Sequence, residues 1–128
     1  MIKLLMVIGT FTVLSSKQIC NKKTTHVACF RGKLEIKGPC MNYTISIIEG
    51  KTDTSMVAAK WIDESTGKLY HNVFSLGSRC NFPVTLKEGD EFYFKLDDRK
   101  VQDCAVCMMY YPVPPKQLAI QVFTTPCE

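Results

Sequence analysis

Seven cysteines dominate the chemistry available to these 128 residues: Cys20, Cys29, Cys40, Cys80, Cys104, Cys107 and Cys127. Thiolates act as nucleophiles or metal ligands, and in an oxidising compartment they pair. An odd count leaves one over. The expected leftover is Cys20, which sits in a polar arm with Lys17, Gln18, Lys22 and Lys23. In a secreted chain such a residue points to an intermolecular bridge or an exposed thiol. The Cys104-Ala105-Val106-Cys107 spacing has two sharper meanings. A redox-active pair opens a helix, whose dipole favours the thiolate, and this pair lies in a β-patterned run. A structural zinc site needs a second pair at comparable spacing, and the sequence offers none. Cys104 and Cys107 are therefore read as belonging to two separate disulfides that leave one strand in different directions. No metal and no cofactor are expected.

Other reactive side chains are sparse. The two histidines, His26 and His71, lie in no nucleophile elbow, paired-ligand spacing or triad setting and read as strand residues. Asp63-Glu64 and Asp97-Asp98 fall in turn-like segments, where carboxylates are expected to be solvated with ordinary proton affinity. A non-catalytic protein is expected. Asn42-Tyr43-Thr44 is a glycosylation sequon, so Asn42 is the expected glycan site. Met108-Met109-Tyr110-Tyr111 reads either as an adaptable contact surface or as core packing on alternate positions, and Trp61 is read as a core residue.

A leading segment has to be set aside before the fold is read. Lys3 supplies one positive charge, residues 4–14 are mostly apolar, and Val13-Leu14-Ser15 offers a cleavage site, which gives a signal peptide over residues 1–15. Its removal lowers the formal charge from +4 to +3. That balance is too mild for a nucleic-acid partner, which requires a clustered basic face. No segment approaches the roughly twenty apolar residues of a membrane span. The mature chain is expected in the endoplasmic reticulum lumen and outside the cell, as one domain over residues 16–128.

Beyond that segment the apolar period is two. Expected strands cover residues 26–36, then Tyr43, Ile45 and Ile47, then Val57, Ala59 and Trp61, then residues 69–76. Phe82, Val84 and Leu86 are expected to form a hairpin with Phe92, Phe94 and Leu96 around Lys87-Glu88-Gly89-Asp90. Residues 101–111 read as the next strand and Leu118, Ile120 and Val122 as the last. Pro112, Pro114 and Pro115 make the connector before it. About eight short strands with regular turn signals indicate an all-β sandwich or small barrel.

The order of these features resembles the secreted accessory glycoproteins encoded by open reading frame eight of SARS-related coronaviruses. The resemblance rests on the Lys17-Gln18-Ile19-Cys20 arm, Cys29, Gly38-Pro39-Cys40, Ile62-Asp63-Glu64-Ser65 and residues 80–86 from Cys80. Cys107-Met108-Met109-Tyr110-Tyr111 and the closing strand 118–123 complete it. It implies an immunoglobulin-like β-sandwich stapled by disulfides, with Cys29 paired to Cys104, Cys40 to Cys107 and Cys20 bridging two copies. The family's cysteine near Lys60 is missing here and Cys127 is extra, so Cys127 is expected to have taken over as the partner of Cys80. The stretch 87–103 is also longer than the family pattern.

The function implied is that of a viral accessory protein that binds host immune or endoplasmic-reticulum proteins and modulates immune signalling. A second reading comes from Cys80, Leu86, Gly89, Tyr93, Cys107 and Pro112, whose order is also similar to netrin-like modules of OB-fold type, including tissue inhibitors of metalloproteinases. Those inhibitors chelate zinc through an amino-terminal Cys-x-Cys. Here Cys20 is followed by Asn21 and Lys22.

Overall fold

Alternation of apolar and polar residues produces strands wherever one face of the chain can reach a common interior. In the computed structural model, which describes residues 28–99 and 104–127, the strands are β1 (Phe30–Lys37), β2 (Tyr43–Glu49), β3 (Ala58–Ile62), β4 (Leu69–Leu76), β5 (Glu91–Leu96), β6 (Gln117–Leu118) and β7 (Ile120–Phe123). The fold is all-β, with no α-helix among the described residues and three disulfides. Along β1 the buried positions are Phe30, Gly32, Leu34 and Ile36, the period-two pattern of a strand with one face inward.

Pairing closes the sheet on itself. β1 runs antiparallel to both β2 and β5, β2 antiparallel to β4, β4 parallel to β6, and β7 antiparallel to β5. Since only Ala119 separates β6 from β7, one strand crosses from β4 to β5 and completes the ring. Ser78 fastens this seam: its hydroxyl donates to the Ile120 carbonyl and accepts the Ile120 N–H, both at 2.9 Å. Opposite walls of this sheet face each other across one interior.

Phenylalanines fill the interior. Phe94 lies 5.3 Å from Phe30, 5.8 Å from Phe74 and 6.0 Å from Phe92 between ring centroids, with Leu34, Ile45 and Ile120 around them. A Cβ on Gly32 would stand 2.9 Å from the Phe94 ring, so glycine lets β1 pass over that ring. Register shifts flank Gly32 and Glu35, bending β1 as a strand shared by both walls must bend.

Two expected strands are corrected. Residues 82–86 form no hairpin with β5, whose two edges are taken by β1 and β7. Phe82 instead turns its ring inward as a plug, 5.5 Å from Tyr43 and 5.7 Å from Phe92. Pro83 cannot donate to a ladder, and Lys37 Nζ donates to the carbonyls of Val84 and Leu86. Residues 104–111 form no strand either, because β7 fills the edge of β5 that they would have needed.

Candidate functional site

The site is the rim where the β1–β2 loop, the turn after β4 and residues 104–113 meet. Pro39–Met41 forms a 3-10 turn in which Cys40 and Met41 adopt left-handed backbone, at φ 56° and 57°. This aims the Cys40 side chain out of the barrel wall toward Cys107, and the two Cα atoms lie 5.0 Å apart in a disulfide. Cys80, in the 3-10 turn Arg79–Asn81, is bonded to Cys104 with Cα atoms 5.5 Å apart. The Cys-x-x-Cys thus contributes to two separate disulfides, but from an irregular segment rather than from a strand.

The connectivity differs from that implied by the resemblance. Cys40 is joined to Cys107, whereas Cys29 is joined to Cys127 rather than Cys104, and Cys80 to Cys104 rather than Cys127. The ring explains the change. Both β1 and β7 flank β5 antiparallel, with Phe30 and Val122 each opposite Phe94. The start of β1 and the end of β7 therefore lie level with each other on either side of β5, and residues 124–127 carry Cys127 back to Phe94 and Cys29, where the disulfide forms with Cα atoms 5.7 Å apart. All six described cysteines are consumed. Cys20, His26 and the signal segment 1–15 lie outside the described residues.

Hydrogen bonds complete the tether. Asn42 Nδ2 donates to the carbonyls of Pro39 (2.9 Å) and Met109 (3.2 Å), while its Oδ1 accepts from the Arg79 guanidinium. With 9% exposure and its amide nitrogen engaged, Asn42 sits as a structural clasp, a setting that opposes a glycan on that nitrogen. Tyr111 packs against the cluster of Ile36, Tyr70 and Val73 and lies so close to Gly38 that a Cβ there would meet its ring at 2.8 Å. Trp61 is only partly buried, tilted against Tyr70 at 5.8 Å.

What the tether presents is apolar. Met108 is 98% exposed and Tyr110 82%, with Met109 exposed between them, so the contact-surface reading of this run fits and the core-packing reading does not, except for Tyr111. Tyr110 donates its hydroxyl to the Glu64 carboxylate, whose hydrogen bond and charge hold the phenol protonated above its ordinary range. Beside it a hollow of about 180 Å³ has Trp61, Ile62, Glu64, Tyr110, Pro112 and Val113 in its lining. Hence the tip offers a hydrogen-bonded phenol and two thioethers, a set suited to contact rather than bond-breaking.

The carboxylates also differ from expectation. Asp63 is 2% exposed. Burial pushes its proton affinity up, but hydrogen bonds from the Ser65 hydroxyl, the Ser65 N–H and the Thr66 hydroxyl outweigh that and hold it below the ordinary carboxylate value. Asp97 is also held low, chiefly by hydrogen bonds from Arg99. Both are turn-forming anchors rather than solvated groups. Among the described residues no three His, Cys, Asp or Glu side chains gather in a metal-binding group. Nor is any described helix long and apolar enough to cross a membrane. Against protein-family models, curated proteins and solved structures alike, the chain finds no match.

Proposed function

We propose that the protein is a non-catalytic binding module of the secretory lumen or extracellular space that engages a protein partner through the tip 108–110. The observation that carries this reading is the exposure of Met108 and Tyr110 on a backbone pinned by disulfides to Cys40 and Cys80. A rigid support reduces the entropy lost on binding, and methionine and tyrosine are enriched at interfaces. Three intrachain disulfides agree with an oxidising compartment. Because the other six cysteines pair with one another, the proposed homodimer would be bridged through Cys20.

Two finer forms share this mechanism. In the first, drawn from the order of motifs, the partner is a host immune or endoplasmic-reticulum protein and the module is a viral modulator of immune signalling. In the second it is a netrin-like, OB-fold inhibitor of an extracellular protease. The β4–β6 parallel pairing that closes the ring favours the second, since that is the strand arrangement its fold has. The test uses purified secreted protein and a Met108→Ser/Tyr110→Ser variant, assayed for inhibition of zinc endopeptidases on a fluorogenic peptide and for binding to intact immune cells by flow cytometry. Inhibition lost in the variant supports the inhibitor, and cell binding lost in the variant supports the modulator. Equal behaviour of the two proteins in both assays overturns the role of the tip.

A further inference from the structure

β3 is the strand that the ring does not use. It pairs with β4 alone, beside the stretch of β4 that precedes the β6 contact, and its outer edge has no strand partner among the described residues. The Asp63 N–H bonds to the Lys68 carbonyl at the end of the hairpin. Antiparallel alternation then turns the N–H and C=O groups of Trp61 toward β4 and those of Lys60 and Ile62 outward. No backbone bond joins these two to residues 104–116. Ala59, Lys60 and Ile62 are exposed, Ile62 at 62%.

We infer that this edge receives an extended, acidic segment of a partner protein as an added strand, which places one large apolar side chain in the hollow bounded by Trp61, Ile62 and Pro112. Unpaired edge groups are satisfied by another extended backbone. The hollow, about 180 Å³, lies at the Ile62 end of that edge and suits a single bulky side chain. Charge selects the occupant. Lys60 stands at the middle of the strand, with His71 opposite it and Lys68 over the Tyr70 ring at 4.8 Å. The nearby carboxylates, Asp63 held by Ser65 and Thr66 and Glu64 by Tyr110, lie past the Ile62 end of β3, which leaves Lys60 as the charged group within the strand. A second copy pairing β3 with β3 about its centre would set Lys60 against Lys60, and like charges directly opposite destabilise a ladder. The chain's own arm, with Lys17, Lys22 and Lys23, carries the same wrong sign.

The probe is a fluorescein-labelled, N-acetylated peptide of alternating Glu and Val with one Phe, measured by fluorescence anisotropy against the full secreted protein. Comparison peptides carry Lys for every Glu, or N-methyl groups on alternate amides. The acidic peptide is expected to bind, with the lysine and N-methylated versions each at least about tenfold weaker, since charge and ladder hydrogen bonds both contribute. Lys60→Glu should reverse the charge preference. Lys60→Pro should abolish binding, because it removes an outward N–H that β4 does not use, while Trp61 fluorescence reports an unchanged urea midpoint. Should that variant not fold, Lys60→Glu and the N-methylated peptide still decide the matter.

Absence of binding, equal binding of the acidic and lysine peptides, or undiminished binding of the N-methylated one overturns the proposal. So does a dimer of Cys20→Ser protein in ultracentrifugation that Lys60→Pro dissociates, which would assign the edge to a second copy. Met108→Ser is expected to leave peptide binding intact, so failure here and failure of the tip reading are separately visible.

Discussion

The barrel interior and the tethered rim are held by different forces. Inside, Phe94 and its neighbours are removed from water and packed ring against ring, and no covalent bond passes through them. At the rim, residues 104–113 keep their apolar side chains in solvent and hold their course through two disulfides, the Asn42 clasp and the packing of Tyr111. A surface made of exposed methionine and tyrosine has no burial energy of its own in the free protein. Crosslinks substitute for it, which lets a binding surface keep its shape while its apolar area stays available.

That contrast can be broken at several points. Phe94→Ala should cost the most, about 3–5 kcal/mol in urea unfolding, because it empties the centre of the interior; a loss under about 1 kcal/mol would mean that the barrel is not the stable body. Removing Cys40 and Cys107 together as alanines should cost about 2–4 kcal/mol through chain entropy. Limited proteolysis would then cut first within 104–113. Cuts spread evenly through β1, β2 and β5 would instead make rim and barrel one cooperative unit.

Asn42→Ala should cost about 1–3 kcal/mol by leaving the Met109 carbonyl and Arg79 without their partner. Glycosidase treatment of the secreted wild type should leave its gel mobility unchanged, and a shift would show that the clasp opens to carry a glycan.

Asp63→Asn should cost about 1 kcal/mol near neutral pH, the scale of a lost hydrogen bond. Since the folded carboxylate is held below its ordinary value of 3.8, its contribution is complete above that pH and disappears as pH falls through the lower folded value. Acid titration of the urea midpoint should therefore be flatter in Asp63→Asn than in wild type below pH 3.8. Finally, Met108→Ser/Tyr110→Ser should change stability by less than about 0.5 kcal/mol, as substitutions away from packed contacts do. A large loss would place the tip within the folded core's cooperativity and sharpen the contrast in the opposite direction.

Much of the framework was legible in the chain. Period-two spacing placed β2, β4 and β5, the prolines at 112–115 marked a connector, and the cysteine count signalled an internal disulfide framework. These are local signals, carried by side-chain alternation and by backbone groups that proline lacks. The same alternation misled at 82–86, where Phe82 alone is buried and Val84 is 75% exposed, so apolar spacing over so short a run did not mean a strand face. Gly32 could have been noticed as a glycine amid a strand pattern, a mark of close approach by another chain segment.

Sequence by itself determined the all-β class, the strand alternation and the reactive inventory, because each depends on residue types a few positions apart. Tertiary structure alone decided which edges met, and with them the disulfide partners. Cys29 reaches Cys127 only because β1 and β7 lie on either side of β5, and no spacing along the chain encodes that proximity. Exposure of Met108 and Tyr110 was likewise undecided until β7 took the remaining edge of β5, which left residues 104–113 outside the barrel with two sulfur tethers to fix their course.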